Sequence, residues 1–399
     1  MPRDAIYDVV VVGGGPAGST AAADLASKGH SVLLLDKAGR IKPCGGAIPP
    51  RAIRDFDIPD SQIVARIRSA RMVSPAGREV DMPIDGGYVG MVDREQFDEW
   101  LRQRAATRGA ERVAGAFERI SRDADGTAVV HFQPKDPAGG PARLAVRARS
   151  VIGADGAQSA VAKQEIACAG EIRYVAAYHE IVKTPTDPAA SFDGARCDVY
   201  YQGKLSPDFY GWIFPHGATT SVGVGSACKG FSLRQATGLL REAGGLAGAE
   251  VIRREGAPIP MKPLRRWDNG RDVVLAGDAS GVVAPASGEG IYYAMTGGRL
   301  AADAVHVFLE TGDARELKGA RKRFMKAHGT VFLVLGLLQR FWYSSDKRRE
   351  RFVSICRDPD VQKLTWDAYM NKELVRAKPM AHVRIFFKDL AHLAGLVRP

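Results

Sequence analysis

Three glycines near the start of the chain have the spacing of a phosphate-binding turn. Gly13, Gly15 and Gly18 follow the apolar run Val9–Val12, and an alanine- and leucine-rich stretch comes next. A tight turn, a close approach of backbone to a pyrophosphate and close helix packing each require glycine at one of these positions. Asp36 ends the next apolar stretch and can accept hydrogen bonds from ribose hydroxyls. The pattern predicts a bound adenine dinucleotide, and this acid favours FAD or NAD over NADP.

Two later segments also place an acid beside a glycine at the end of an apolar stretch. Asp155 follows residues 150–154, and Gly277-Asp278 follows residues 273–276. Either segment alone could be an ordinary Asp-Gly turn. Several such points suit a long dinucleotide that contacts more than one part of a domain.

Aromatic side chains alternate with smaller ones in a third region. Tyr210, Trp212 and Phe214 are separated by Gly211 and Ile213. Because successive side chains of a strand point to opposite faces, one face of this strand is expected to be aromatic. The face could bind an apolar ligand or belong to an ordinary aromatic core.

These motifs together resemble flavoproteins of the p-hydroxybenzoate-hydroxylase type, which bind FAD through GxGxxG, DG and GD motifs. Within that superfamily, four segments resemble the geranylgeranyl reductases: residues 42–47, 92–101, 210–215 and 276–281. The resemblance covers about residues 5–310. The chain length and the basic, aromatic C-terminal segment are most similar to the bacteriochlorophyll and chlorophyll branch.

The resemblance implies specific FAD contacts. Arg94 is expected at the pyrophosphate or ribityl chain, Asp278 at the ribityl chain, the Ala114 backbone at the adenine, and Gly290 with Ile291 at the flavin ring. The full set of expected cofactor-binding residues is Gly13, Gly15, Pro16, Ala17, Gly18, Asp36, Lys37, Cys44, Gly45, Ala47, Arg94, Ala114, Asp155, Gly277, Asp278, Gly290 and Ile291.

Cys44 is the candidate catalytic residue. It stands after a proline and before two glycines, and the resemblance places it against the flavin, where a thiol could relay a proton or tune the ring. The alternative is a small buried apolar residue, which is the commonest role of a free cysteine. The resemblance also makes Tyr210, Trp212 and Phe214 isoprenoid-binding residues.

The implied reaction is an NADPH-driven, FAD-dependent reduction of C=C bonds in a geranylgeranyl group, which is pigment-linked or a diphosphate, to give phytyl. The sequence holds no second GxGxxG, so NADPH is expected to bind transiently. The main alternative is a flavin monooxygenase acting on an aromatic or polyketide. A flavin halogenase is disfavoured because no Trp-x-Trp-x-Ile-Pro sequence is present. A non-enzymatic membrane or nucleic-acid binding protein is the remaining class, and no nucleic-acid motif supports it.

The secondary-structure elements that would position these residues predict an α/β fold. With the inserted antiparallel domain included, the chain is α+β overall. We expect a discontinuous Rossmann-like FAD-binding domain from residues 1–75, 90–165 and 265–310. An inserted, mostly antiparallel substrate domain would take residues 76–89 and 166–264. The remaining residues, 311–399, are expected to form a helical basic segment.

Composition fits a globular protein in a reducing compartment. The 399 residues are 45% hydrophobic and 25% charged, which are ordinary values. Five scattered cysteines without a CxxC pair argue against a disulfide scaffold or a structural zinc site, so no metal is expected. No apolar run is long enough to span a bilayer, and no signal peptide is evident. The expected location is the cytoplasm.

The positive charge is concentrated at the C-terminal end. Residues 315–399 hold 19 basic and 8 acidic residues, which leaves 37 of each in the first 314. Arg321–Arg323 and Lys347–Arg349 flank the apolar run Val331–Leu338 and the aromatic run Phe341–Tyr343. This arrangement predicts peripheral docking on an anionic membrane, and the resemblance implies that this membrane is the photosynthetic one. The alternative is a core helix with solvated basic residues.

Overall fold

The chain forms two compact units, each assembled from separate parts of the sequence. The structure, a computed structural model, describes residues 6–37, 39, 41–135, 143–186 and 192–372. The first unit comprises Met1–Lys42, Arg94–Tyr174 and Pro258–Thr330, and the second comprises Pro43–Asp93, Val175–Ala257 and Val331–Pro399.

The described residues contain strands and helices in a mixed α/β arrangement, which confirms the predicted fold class. The strands are β1 (Ile6–Val12), β2 (Val32–Asp36), β3 (Ala47–Ile48), β4 (Ala65–Ile67), β5 (Ser69–Val73), β6 (Glu79–Pro83), β7 (Val89–Met91), β8 (Glu111–Arg122), β9 (Ala128–Pro134), β10 (Leu144–Gly153), β11 (Tyr174–Lys183), β12 (Arg196–Tyr200), β13 (Gly211–His216), β14 (Thr219–Ser226), β15 (Val251–Pro260) and β16 (Val273–Leu275). The α-helices are α1 (Pro16–Ser27), α2 (Pro50–Asp55), α3 (Arg94–Thr107), α4 (Ala160–Glu165), α5 (Leu233–Ala243), α6 (Ile291–Thr311), α7 (Lys318–Trp342), α8 (Asp346–Ile355) and α9 (Pro359–Asn371).

The first unit is built on a largely parallel sheet. Its parallel pairings run β8–β2, β2–β1, β1–β10 and β10–β16, and β9 pairs antiparallel with both β8 and β10. Val9 to Val11 are fully buried, because a parallel sheet covered on both faces leaves no side of its central strand in water.

The register of this sheet brings the predicted motifs to one edge. Val12 is opposite both Leu35 and Gly153, and Gly153 is opposite Leu275. Asp36 is opposite Ala114. The glycine turn and the DG and GD segments therefore leave the sheet at the carboxyl ends of neighbouring strands, where open α/β sheets bind their ligands.

The second unit is built on a seven-stranded sheet of order β15-β11-β14-β13-β12-β5-β6. The successive pairs from β11 to β12 are antiparallel, as predicted for this region, whereas β12 and β5 are parallel. A smaller antiparallel sheet has the order β3-β7-β4.

Residues 43–75, which the sequence analysis assigns to the FAD-binding domain, lie in the second unit. The cause is strand pairing, because β5 is bonded to β12 on one side and β6 on the other. Short strands such as Ala65–Ile67 carry too few residues for their alternation to be recognised in the sequence.

The C-terminal segment is helical, as predicted, over α7, α8 and α9, while residues 373–399 lie outside the described part. It is not a separate body, because the division between the units falls inside α7, after Thr330. In the second unit, Arg349 is 2% exposed and donates hydrogen bonds to the carbonyls of Pro207 and Tyr343 and to Asp346. Its guanidinium ties α8 to the loop that precedes β13. None of the described helices combines the length and apolar character needed to cross a bilayer.

Helices α1 and α6 of the first unit pack through glycine. A Cβ atom added at Gly298 would lie 2.2 Å from the carbonyl oxygen of Ala17. The neighbouring Gly297 has more room, since its added Cβ would be 3.4 Å from the nearest atom, the amide nitrogen of Gly277. Only one of these two adjacent glycines is required by packing.

Replacing each glycine of α6 by alanine separates the packing requirement from helix propensity. Gly298→Ala should lower the free energy of unfolding by about 1–3 kcal/mol or more, because two backbones must move apart. Gly297→Ala should be neutral or stabilising by up to about 1 kcal/mol, because alanine favours a helix. Thermal or urea unfolding of both variants measures the difference. Equal stabilities of the two variants would contradict the proposed contact.

Candidate functional site

The glycine turn of the first unit encloses an open space above its second glycine. Gly13 has a φ of +106°, and a Cβ atom added there would lie 2.3 Å from the carbonyl oxygen of Ala154. A Cβ atom at Gly18 would lie 1.8 Å from the carbonyl oxygen of Gly13, whereas one at Gly15 would meet nothing within 4 Å. Gly13 and Gly18 therefore shape the turn, and Gly15 leaves room for a ligand. Pro16 and Ala17 open α1 immediately after it.

Asp36 is fixed beside this turn. Its Oδ2 accepts a hydrogen bond of 2.8 Å from the Gly14 amide. Arg102 donates to the carbonyl of Gly14 at 3.2 Å, and its guanidinium lies 3.9 Å from the other carboxylate oxygen of Asp36. The sequence analysis did not identify Arg102. The available signal was its position two helical turns after Arg94 in α3, which places both side chains on similar sides of the helix.

Arg94 is buried at the start of α3. Its Nε and Nη2 atoms donate to the two carboxylate oxygens of Asp98 at 2.8 and 2.7 Å, and the residue is 6% exposed. This bidentate pair fixes the orientation of the guanidinium. The predicted contact of Arg94 with the cofactor stays a prediction.

The GD segment meets the start of α6. The carboxylate of Asp278 pairs with the ammonium group of Lys42, and a Cβ atom added at Gly290 would be 3.8 Å from the Asp278 Oδ1 atom. Gly290 is the N-cap of α6, and Ile291 is its first residue. Asp278 is therefore held between a lysine and the positive end of a helix dipole.

Two of the predicted cofactor-binding residues, Asp155 and Ala114, accept hydrogen bonds from other groups of the protein. The Asp155 carboxylate accepts hydrogen bonds from the Ser159 hydroxyl at 2.5 Å and the Ala160 amide at 2.7 Å, at the start of α4. Burial raises the pKa of Asp155, although these hydrogen bonds oppose the shift. The Ala114 carbonyl accepts from the Lys135 amide at 3.0 Å. Lys37 is exposed directly after β2.

The first unit thus fits a dinucleotide such as FAD. It combines space above Gly15, the N-terminus of α1, the carboxylate of Asp36 and the positive end of α6 on one sheet edge. Helix N-termini stabilise phosphate oxygens, and a carboxylate accepts from ribose hydroxyls. The charged side chains that lie at this edge of the sheet are Asp36, Arg102 and Asp278.

In the second unit, the segment containing Cys44 lies along β13. A Cβ atom at Gly45 would be 3.0 Å from the Phe214 ring, and one at Gly46 would be 2.4 Å from Nε2 of His216. Gly46 has a φ of +71° and donates its amide to the Cys44 Sγ atom at 3.4 Å. Both glycines are needed because side chains there would collide with the aromatic strand. Ala47 then begins β3 and pairs with Met91.

His216 is the last residue of β13. The sequence analysis did not identify it. Its Nδ1 atom is 2.9 Å from the carbonyl oxygen of Phe214. Burial lowers the pKa of His216, so its neutral form is favoured. A histidine that ends an aromatic strand carries no distinctive sequence spacing, and its link to Gly46 appears only in three dimensions.

The predicted aromatic face exists. The rings of Tyr210 and Trp212 have centroids 6.0 Å apart, and those of Trp212 and Phe214 are 6.3 Å apart. Tyr201 extends the row, with its ring 6.1 Å from Tyr210. We call Tyr201, Tyr210, Trp212 and Phe214 the aromatic row.

Burial controls the chemistry of the phenols in this row. Burial raises the pKa of Tyr210, and the neighbouring Tyr343 and Cys44 add to the shift. The phenol is therefore neutral at any physiological pH. Among the described residues, no group of three or more His, Cys, Asp or Glu side chains could hold a metal ion.

Comparisons with known proteins point to the same cofactor. The FAD binding domain family matches residues 6–322. The chain is 59% identical over 393 residues to a geranylgeranyl diphosphate reductase of Rhodobacter capsulatus, covering 98% of this chain and 99% of that protein. It is 38% identical to a geranylgeranyl diphosphate reductase of Synechocystis, covering 97% and 98%. A geranylgeranyl bacteriochlorophyll reductase-like structure from Thermoplasma acidophilum has the same fold, with a TM-score of 0.80, 23% identity and coverage of 94% and 99%.

Two glycine substitutions test the turn. Gly15→Val should fold, because residue 15 is extended, with φ −77° and ψ −174°, and its added side chain meets open space. The variant should lose most of its FAD, because the side chain would fill the space for the pyrophosphate. Flavin absorbance per protein and thermal unfolding measure the two effects.

Gly18→Ala is the matched control, because its Cβ atom would collide with the backbone of the turn itself. It should lower stability as well as FAD content. A Gly15→Val protein that retained one FAD per chain would show that the pyrophosphate does not lie over this residue.

Proposed function

Because the chain belongs to the geranylgeranyl reductase family of FAD-binding proteins, we infer that it reduces the C=C bonds of a geranylgeranyl group. The observation that carries this proposal is the 59% sequence identity to the reductase of Rhodobacter capsulatus, which extends over 98% of this chain. The aromatic row supports the substrate class, since a row of neighbouring aromatic rings suits an apolar isoprenoid chain.

The first unit would hold FAD at the edge described above. Asp36 would bind the ribose, the N-terminus of α1 the pyrophosphate, and Asp278 the ribityl chain. Bound FAD supplies two-electron chemistry that amino-acid side chains lack. The protein contributes position and charge, and we assign those tasks to Arg102, Lys42 and the N-terminus of α6.

We propose NADPH as the reductant. It would bind transiently, because no second dinucleotide-binding motif occurs in the sequence. Substrates of this proposal are geranylgeranyl diphosphate and the geranylgeranyl group esterified to a chlorophyll-type pigment, and the product group is phytyl.

The aromatic row would bind the isoprenoid and stabilise charge on it. An isolated C=C bond accepts hydride only as positive charge develops, so a proton must reach the other carbon early. The faces of Trp212 and Tyr210 attract such a charge. Cys44 follows Lys42 by two residues and lies close enough to Tyr210 to affect its pKa. We propose Cys44 as the flavin-proximal residue, which is what the family resemblance implies.

An anaerobic assay separates the proposed reductase from a flavin monooxygenase. Purified protein with FAD and NADPH should convert geranylgeranyl diphosphate, or the pigment ester, to more saturated products without oxygen. Mass spectrometry should find products heavier by two hydrogens per reduction. A protein that consumed NADPH only with oxygen, and added an oxygen atom to its substrate, would contradict the proposal.

We also propose that the second unit docks on an anionic membrane through α7. Leu333 and Leu337 are 63% and 58% exposed, and they lie one helical turn apart on one side of the helix. Leu338 is also exposed, and Arg340, Lys347 and Arg348 supply exposed positive charge in the same part of the chain. Exposed leucines and basic residues together are typical of interfacial helices.

Part of the predicted docking surface is not available. Trp342 and Tyr343 are 5% and 4% exposed, so they cannot reach lipid headgroups. Arg349 is buried and donates to backbone carbonyls, and Arg321 donates to the Leu264 carbonyl, so both guanidinium groups are engaged within the protein. The exposed surface that could contact lipid consists of Leu333, Leu337 and Leu338 together with Arg340, Lys347 and Arg348.

Liposome flotation tests this docking surface. Leu333→Glu with Leu337→Glu should abolish binding to vesicles that contain anionic lipid, while FAD content stays unchanged. Lys347→Gln with Arg348→Gln should weaken binding by about 1 kcal/mol per charge at low salt. Leu239→Glu is the matched control, because Leu239 is 44% exposed on α5. Absence of binding by the wild type at low salt would contradict the proposal.

A further inference from the structure

A row of buried and partly buried polar groups lies beside the tryptophan of the aromatic row. The Trp212 Nε1 atom donates to the Ser221 hydroxyl at 3.1 Å, and that oxygen is 2.9 Å from His179 Nδ1. His179 Nε2 is 2.9 Å from the carboxylate of Glu255. We call Ser221, His179 and Glu255 the indole support. None of these residues belongs to the motifs that the sequence analysis identified.

Strand register explains why these groups meet. Trp212 of β13 and His179 of β11 are both opposite Gly223 of β14, so their side chains share one face of the sheet. Ser221 lies two residues before Gly223 and points to that same face. Four strands contribute, because Glu255 comes from β15.

Gly223 provides the space in which the support is built. A Cβ atom added at this position would lie 2.4 Å from the Trp212 ring and 2.5 Å from the Cβ atom of His179. The indole therefore lies directly across the glycine. Ser221 is 0% exposed and His179 is 3% exposed, so water does not compete for their hydrogen bonds.

The hydrogen bonds can all run in one direction. Burial alone would raise the pKa of Glu255, but His179 and Arg253 outweigh it and lower the pKa, so the carboxylate is ionised. In the tautomer that carries a hydrogen on Nε2, His179 donates to this carboxylate, and its Nδ1 accepts from the Ser221 hydroxyl. The Ser221 oxygen in turn accepts from Trp212. Every polar hydrogen of the indole support has an acceptor.

This arrangement restricts the indole to one orientation. Rotating the Trp212 ring away would leave its N–H buried without an acceptor and would remove one hydrogen bond from the Ser221 oxygen, which disfavours the alternative by about tenfold or more. A chain of hydrogen bonds that ends on a carboxylate also polarises the donor at its start. The face of the indole thereby becomes more attractive to positive charge.

We propose that Ser221, His179 and Glu255 are positioning residues that hold the Trp212 indole against the isoprenoid chain. Through the indole they would control which double bonds are reduced. This inference rests on the proposed reduction of geranylgeranyl groups. Within the aromatic row, the side-chain hydrogen bonds of the support reach Trp212 through its N–H, so the effect of the support should depend on the indole N–H.

A double-mutant cycle tests that dependence. Ser221→Ala alone should lower kcat/KM about tenfold and enrich partly reduced products, with FAD content unchanged. Trp212→Phe keeps an aromatic ring but has no N–H to support. In the Trp212→Phe protein, Ser221→Ala should change kcat/KM less than twofold, because coupled residues are not additive.

Thr220→Val is the matched control. Thr220 is a fully buried neighbour in β14 whose hydroxyl bonds Thr184, and its side chain points to the opposite face of the sheet. This variant should leave the product distribution unchanged. An equal effect of Ser221→Ala in both backgrounds, or no effect in either, would overturn the proposal.

Near-ultraviolet circular dichroism tests the support without activity. The difference spectrum between wild type and Trp212→Phe isolates the signal of the fixed indole. Ser221→Ala should lose at least half of that signal, and an undiminished signal would overturn the proposal. A wild-type protein inactive on geranylgeranyl substrates would instead contradict the proposed function, and the spectra would still decide the positioning role.

Discussion

Backbone-to-backbone contact through glycine is the constraint on which the cofactor side of the molecule depends. Gly18 lies against the carbonyl of Gly13, and Gly298 against the carbonyl of Ala17, at distances that exclude even one methyl group. These contacts seat α1 and α6 against the carboxyl edge of the sheet. Two helix N-termini can then face one ligand, because both helices start where the parallel strands end. The acids Asp36 and Asp278 gain their positions from the same packing.

Glycines also create space in the second unit, where aromatic side chains occupy it. Gly45, Gly46 and Gly223 leave room for rings instead of for phosphate groups. An isoprenoid offers no charge or hydrogen bond to recognise, so its position must come from the shape of rigid apolar surfaces. In the aromatic row, the Trp212 indole donates a hydrogen bond to Ser221, which lies on the same face of the sheet. Buried polar side chains therefore lie beside an apolar surface.

Sequence reasoning recovered the parts of the site that are local in the chain. The strand, turn, helix and acid from Val9 to Asp36 lie within one continuous stretch, and the alternation at residues 210–215 is visible by eye. It did not find Arg102, His216 or the indole support. Residues 179, 212, 221 and 255 come together only through the register of four strands, which single-strand patterns do not determine. The burial of Trp342 and Arg349 was also missed, since a charged or aromatic run has the same composition whether it faces water or the interior.

The hydrogen bonds of Arg349 affect how this chain can be recombined with its relatives. The guanidinium holds carbonyls of residues 207 and 343, so the last helices and the loop before the aromatic row form one cooperative piece. A chimaera that exchanged only the residues after 311 would pair the incoming helix with a loop from another protein, and a buried arginine at this position would keep its acceptor at residue 207 only if that loop had the same backbone path. Exchanges between related reductases therefore need to move the segment around residue 207 together with α8. In structural terms, the loop and the helix are a single module although 140 or so residues separate them in the chain.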